Sequence, residues 1–269
     1  MTGSLLVAVP GVLASFDVDI FWRSLTGFDV WLPAVGLVIF ITLVAQTSGV
    51  ILGFPLALGR ISKNPLIHLP VDGYLYLFRG TPLLLQILFF YDGIAQLTNN
   101  PPSLYFITQN AVVAGTLALT LNEAAYMTEI IRSGLEAIDP GQYDAARALG
   151  MTPWQLTRTI VIPQTMRIAL PPTVNEYINM SKNTSLLSTI SVYELLAVAQ
   201  RQYSANFKEF EVLCVAAIWY LVITTLLTFL QKRVERRFGE RQVVAARAGF
   251  ARRLLRGAAS GTDGDAGGH

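Results

Sequence analysis

Side chains able to do covalent or metal chemistry are few in this chain, and none stands in a working pattern. The two histidines, His68 and His269, lie in unrelated surroundings, and the single Cys214 sits in an apolar run that suits a small buried residue. One cysteine excludes an internal disulfide and gives no metal-ligand spacing. None of the four lysines follows the glycine that a phosphate-cradling loop demands. Neither a G-x-S-x-G elbow nor an H-E-x-x-H helix occurs. The expectation is a chain with no catalytic residue, no metal site and no cofactor of its own. Work that needs ATP must then be driven from a separate polypeptide.

What the sequence does offer is non-covalent. A polar stretch, residues 139–163, separates two apolar runs and reads as two short helices with a sharp bend. Asp139 is a cap candidate, Pro140 suits the first helical position, and Gln142 stands where its side chain can reach back to the cap. Ala145, Ala146, Ala148 and Leu149 favour helix, and Gly150 can take the left-handed conformation that ends it. Thr152-Pro153-Trp154-Gln155 repeats the start signal. Pro163, Pro171 and Pro172 mark later breaks or kinks.

The elements around this stretch read as membrane spans. Of the 269 residues, 52% are hydrophobic and only 14% charged, too apolar for an ordinary soluble domain. Residues 1–31 hold the apolar run Leu5 to Val12, too short to cross a bilayer and without the basic flank of a signal peptide. They continue into an aromatic segment, Phe16 to Trp31, suited to headgroup depth. Spans are expected at roughly 32–58, 71–95 and 106–131, then an irregular one after Pro163, and a last one at 212–230. Gly36, Gly49 and Gly53 in the first span allow close helix approach. Asn175, Glu176, Lys182, Thr184 and Ser185 in the fourth can face only protein or a water-filled path. With Arg79, in an expected kink before Pro82, they are the candidates for lining a translocation route. Basic residues follow spans one, three and five, which puts the N-terminus outside and the C-terminus inside. A membrane-spanning domain over 32–231 thus precedes a basic tail, 232–269, suited to anionic lipid and disordered at its end.

Asp144-Ala145-Ala146, Gly150, Ile160, Ile162 and Pro163 match the EAA loop of ATP-binding-cassette (ABC) importer permeases. Asp144 stands where that family has glutamate, and Ile162 where it has leucine. Further matches are Tyr76 to Pro82, including Arg79-Gly80-Thr81-Pro82, then Ala125-Tyr126 with Glu129 and Arg132. Gly141-Gln142, Pro163-Gln164, Arg167, Leu170-Pro171-Pro172, Asn175 and Lys182-Asn183-Thr184-Ser185-Leu186 also match. Over about residues 32–235 the chain resembles the membrane subunit of a polar amino acid ABC importer. The resemblance implies an all-α membrane protein of the type I importer permease fold, with five transmembrane helices and a cytoplasmic coupling-helix hairpin. It implies a bacterial inner membrane and a second permease subunit, identical or a sister. It further implies an ABC ATPase that binds the ATP and magnesium, and an extracytoplasmic amino-acid-binding protein. Asp144, Ala145, Ala146, Arg147, Gly150, Met151 and Pro163 are the residues it implies for coupling to the ATPase.

Two other classes compete. An ion-coupled secondary transporter usually shows an inverted repeat, and none is visible. A membrane-anchored DNA-binding regulator would use residues 142–163 as a helix-turn-helix, but such a module needs its own small core and here apolar spans flank it closely. No nucleic-acid partner is expected.

Overall fold

The computed structural model describes residues 16–97 and 101–233, and among these every regular element is helical. The run Leu5–Val12, the turn at Asn99-Asn100 and the basic tail beyond Arg233 lie outside the described residues. A compact unit ends at Thr228, and Phe229–Arg233 begin a second one.

Helix α1 (Val18–Leu25) is short, amphipathic and without a buried residue. The Asp17 side chain caps it by accepting the Ile20 N–H at 3.1 Å. That bond holds the Asp17 carboxyl below the usual carboxylate range, and Lys208 adds to the effect. Helix α2 (Phe28–Arg60) follows after one turn and starts before Leu32. Trp31, expected at headgroup depth, is instead fully buried and donates its indole N–H to the Ser24 carbonyl at 2.8 Å.

The second expected span is not straight. Helix α3 (Pro65–Gly80) and helix α4 (Leu83–Leu97) meet at 106°. Pro82 cannot donate and pushes Thr81 out of the helical region, to φ −113 and ψ 149. Carbonyls set free by the break would be costly at membrane depth. The Gln86 amide donates to the Phe78 and Thr81 carbonyls at 2.8 and 3.1 Å, and Asn122 also donates to Phe78 at 3.0 Å. Helix α5 (Pro102–Thr108) likewise meets α6 (Ala111–Glu136) at 79°.

Helices α2 and α6 form the spine. Gly49 and Gly53 let them touch: a Cβ at Gly49 would lie 2.7 Å from Glu123 Cγ, and one at Gly53 2.7 Å from Met127 Cβ. Gly36, expected to do the same, faces open space. Glu123 is buried in this seam and accepts from Gln46 Nε2 at 2.8 Å. Two further hydrophobic clusters pack around the spine. One joins Trp31, Ala34 and Val38 of α2 to Val198 and Val215, and the other joins Ile41, Leu119, Met180 and Leu187.

Beyond the polar hairpin (α7, Pro140–Ala148; α8, Pro153–Leu156), a π-turn over Thr157–Val161 leads into α9 (Ile162–Asn183). Pro171 and Pro172 lie inside α9 without ending it. The chain tightens into a 3-10 turn, Thr184–Ile190, and reverses at left-handed Ser191. It continues as α10 (Leu195–Asn206) and α11 (Glu209–Arg233). Glu194 caps α10 by accepting the Ala197 N–H at 2.9 Å, and Tyr220 of α11 donates to its other oxygen. Among the described residues, helices α2 and α11 are each long and apolar enough to cross a membrane, and the two bent pairs bring the total to as many as four. The fourth expected span, α9, is about 33 Å long by helical rise but carries Arg167, Glu176 and Lys182.

Candidate functional site

The hairpin is built by local rules that act twice. Asp139 Oδ1 accepts the Gly141 N–H at 2.7 Å and starts α7. At the far end Gly150 takes φ +70, the Gly150 N–H bonds the Arg147 carbonyl, and the Met151 N–H bonds the Ala146 carbonyl at 3.1 Å. These two bonds form a Schellman close, which only a residue at ease with positive φ can hold. Thr152 then opens α8 with a reciprocal capping box: Gln155 N–H to Thr152 Oγ1 at 3.3 Å, and Thr152 N–H to Gln155 Oε1 at 2.8 Å. Gln142 departs from expectation. Its side-chain oxygen accepts from Gln164 Nε2 rather than returning to the Asp139 cap, so it ties α7 to the start of α9.

The hairpin is wedged at its base and free at its tip. Ile138 is buried, and Gly134 lets α6 approach α9 so closely that a Cβ there would lie 3.1 Å from the Thr165 carbonyl. Ala146 is 1% exposed and faces its own chain. Leu149 is 80% and Trp154 67% exposed, an apolar pair flanking the Gly150 bend. Asp144, Ala145 and Arg147 are exposed, Met151 and Pro163 partly buried. Asp144 and Arg147 pair across one turn at 3.7 Å, a solvated contact that leaves both free to exchange partners. Of the seven residues implied for coupling, five therefore surround one exposed bend: Asp144, Ala145, Arg147, Gly150 and Met151. Trp154 joins them unforeseen, although an indole in a polar segment could have drawn notice.

The candidates for a polar path separate into two groups. Pro172, Asn175, Asn179 and Lys182 recur at helical spacing on one face of α9, with Asn175 and Lys182 exposed. Glu176 is partly buried and accepts weakly from Asn179 at 3.4 Å. Thr184 and Ser185 instead donate to the Ser181 and Lys182 carbonyls at 2.9 and 2.7 Å, so their hydroxyls serve the 3-10 turn.

Arg79 sits at the break between α3 and α4 and belongs to a different assembly. It reaches Glu129 Oε1 at 3.1 Å and lies over the Tyr126 ring at 5.6 Å. Arg60 contacts the same oxygen at 3.6 Å and Asp72 at 2.8 Å, while Arg132 holds the other Glu129 oxygen at 2.8 Å. One carboxylate thus gathers three arginines from α2, α3 and α6. Only the Glu129–Arg132 pair has a spacing visible in sequence. No group of three or more metal-ligating side chains occurs among the described residues.

The chain is similar to known transport-system membrane proteins. Residues 49–240 match the family described as binding-protein-dependent transport system inner membrane component. The histidine/lysine/arginine/ornithine transport system permease protein HisM of Salmonella typhimurium is 35% identical over 221 residues, covering 81% of this chain and 94% of that protein. The arginine transport system permease protein ArgU of Corynebacterium glutamicum is 40% identical over 219 residues, 78% of this chain and 69% of that protein. Among solved structures, an amino acid ABC transporter crystallised with histidines has a chain 35% identical, with a TM-score of 0.73, over 83% of this chain and 99% of its own.

Proposed function

The chain belongs to the binding-protein-dependent transport system inner membrane component family, and from that premise we propose that it is the permease subunit of an ABC importer for a polar or charged amino acid. It carries substrate by alternating access, driven by an ATPase on another chain and supplied by an extracytoplasmic binding protein. It crosses a bacterial inner membrane five times, with the N-terminus outside and the C-terminus and hairpin in the cytoplasm. It works beside a second permease subunit. The observation that carries this reading is the hairpin: doubly capped, rooted between α6 and α9, and presenting Leu149 and Trp154 on an otherwise polar tip. Such a lever transmits force only if something grips its end. ATP shifts the permease between inward- and outward-open states by its differential binding to them, and the hairpin conveys that difference. The polar face of α9, with Asn175, Glu176 and Lys182, lines the route, while the Glu129 cluster fastens α3 to the spine.

The test is reconstitution of the permease with its ATPase and binding protein in proteoliposomes. Uptake of labelled amino acid should need ATP and the binding protein, and should survive collapse of the proton gradient. Uptake that tracks the gradient and ignores ATP would overturn the reading in favour of an ion-coupled transporter.

A further inference from the structure

The seam between α2 and α6 holds a carboxylate with too few partners. Glu123 is 3% exposed, and only Gln46 Nε2 donates to it, at 2.8 Å. Gln46 is itself fully buried, and its side-chain oxygen has no hydrogen-bond partner among the described residues. That oxygen sits on the same amide whose nitrogen reaches Glu123, so it opens onto the same spot. Helix α9 closes the third side. The Tyr177 and Thr47 hydroxyl oxygens lie 3.2 Å apart and fix α9 against α2 at this level. Glu176 of α9 stands close enough to Glu123 to act on it electrostatically. Glu176 in turn is met only by Asn179 Nδ2, at 3.4 Å.

Two carboxylates from two helices thus share this level with one amide donor each, and neither forms a salt bridge among the described residues. Arg132, Arg167 and Lys182 are the nearest cations on α6 and α9, about 9 Å or more away by helical rise. Arg132 is already held by Glu129 and Glu136. A carboxylate at membrane depth is costly unless it is paired. Every unanswered atom in the cluster is an acceptor: the remaining oxygens of Glu123 and Glu176, and the Gln46 oxygen. The missing partner is therefore positive and rich in N–H donors. A guanidinium carries five such donors and an ammonium three, enough to answer several oxygens at once.

We infer that Glu123 and Glu176 together receive the cationic side chain of a basic amino acid, with the Gln46 oxygen as a third acceptor. The inference rests on the proposed function in taking the polar face of α9 as the route, and it narrows the cargo from polar or charged to positively charged. Glu176, the less buried of the two, meets the cation first. Glu123, deeper in the seam, supplies the second negative charge and holds the Gln46 amide in place. An anionic cargo would face two like charges here.

The test is equilibrium binding of radiolabelled arginine and citrulline to the detergent-purified permease–ATPase complex, without ATP or binding protein. The two amino acids share a shape, but citrulline ends in a neutral urea. Arginine should bind about tenfold or more tightly than citrulline. Glu123→Gln and Glu176→Gln should each bring that ratio close to one, chiefly through arginine, whereas Glu176→Asp should keep part of the preference. A purely structural role would weaken both ligands alike and leave the ratio standing. Equal binding of the two amino acids, no binding of arginine, or a preference that survives both glutamine substitutions would each overturn the inference. So would sodium binding that needs both glutamates and is not displaced by arginine. The assay uses neither ATP nor a proton gradient, so loss of the preference with ATP-driven uptake intact would strike this inference and leave the transport reading in place.

Discussion

Gly150 offers the sharpest test of the lever, because its strain and its contacts can be separated. Its φ is +70, and a Cβ built there meets nothing within 4 Å of the chain itself. Within the permease a substitution therefore costs backbone energy alone. That cost is about 1–2 kcal/mol for alanine in the left-handed region, less for asparagine, and more for a β-branched valine. One to two kcal/mol is a factor of about 5–30 in the population of the correctly bent hairpin. The bend is exposed and can open by itself, so the thermal unfolding midpoint of the permease should hardly move. In proteoliposomes with ATPase and binding protein, amino acid carried per ATP hydrolysed should fall in the order Asn, Ala, Val at position 150. A valine variant with wild-type coupling would refute the lever. An asparagine variant as damaged as the valine one would refute the backbone argument and assign the position to a steric contact with the ATPase.

Other outcomes follow from the same geometry. Trp154→Ala should weaken ATPase association by about 2 kcal/mol or more, read by co-purification, with the permease's own melting temperature unchanged. Glu129→Gln leaves three arginines around a neutral amide and should destabilise the detergent-solubilised permease by about 2–4 kcal/mol, discounted for the solvent that reaches the cluster. Restoration of normal stability by a simultaneous Arg79→Gln would show that like-charge repulsion, not lost bonding, dominates. Gly53→Ala drives a methyl against Met127 Cβ and the Ala124 carbonyl, at 2.7 and 3.1 Å, and should cost about 1–3 kcal/mol. Gly36→Ala meets nothing within 4 Å and should stabilise α2 by about 0.5–1 kcal/mol in the same thermal assay.

Legibility in the sequence followed the range of the forces involved. The hairpin was readable almost atom by atom, because a cap, a proline at the first position and a left-handed glycine act over four or five residues. The Thr152–Gln155 box and the Gly150 close stand as read. Gln142 did not, because its partner Gln164 comes from beyond the bend and a local rule cannot see it. The same applies to Arg79: proline chemistry announced a kink, but not the 106° turn or the bond to Glu129. Gln46 and Glu123 are far apart in the chain and meet only because Gly49 allows two backbones together. Gly36 shows the converse, since a glycine pattern cannot tell a tight seam from open space. The apolar stretches located the helices, while the choice of which polar side chains meet was made by packing.

The corner between α3 and α4 carries a consequence for how this molecule can move. The peptide oxygens stranded there are served by amides from two places, Gln86 just downstream and Asn122 on the spine. Straightening the corner would strip those amides of their acceptors inside a medium that offers no substitute. It is therefore a fixed bracket rather than a joint, and the arm beyond it must travel with the spine as one piece. Whatever rearrangement opens a passage has to happen at boundaries between such pieces, and no bending within this one should be seen when the two end states are compared.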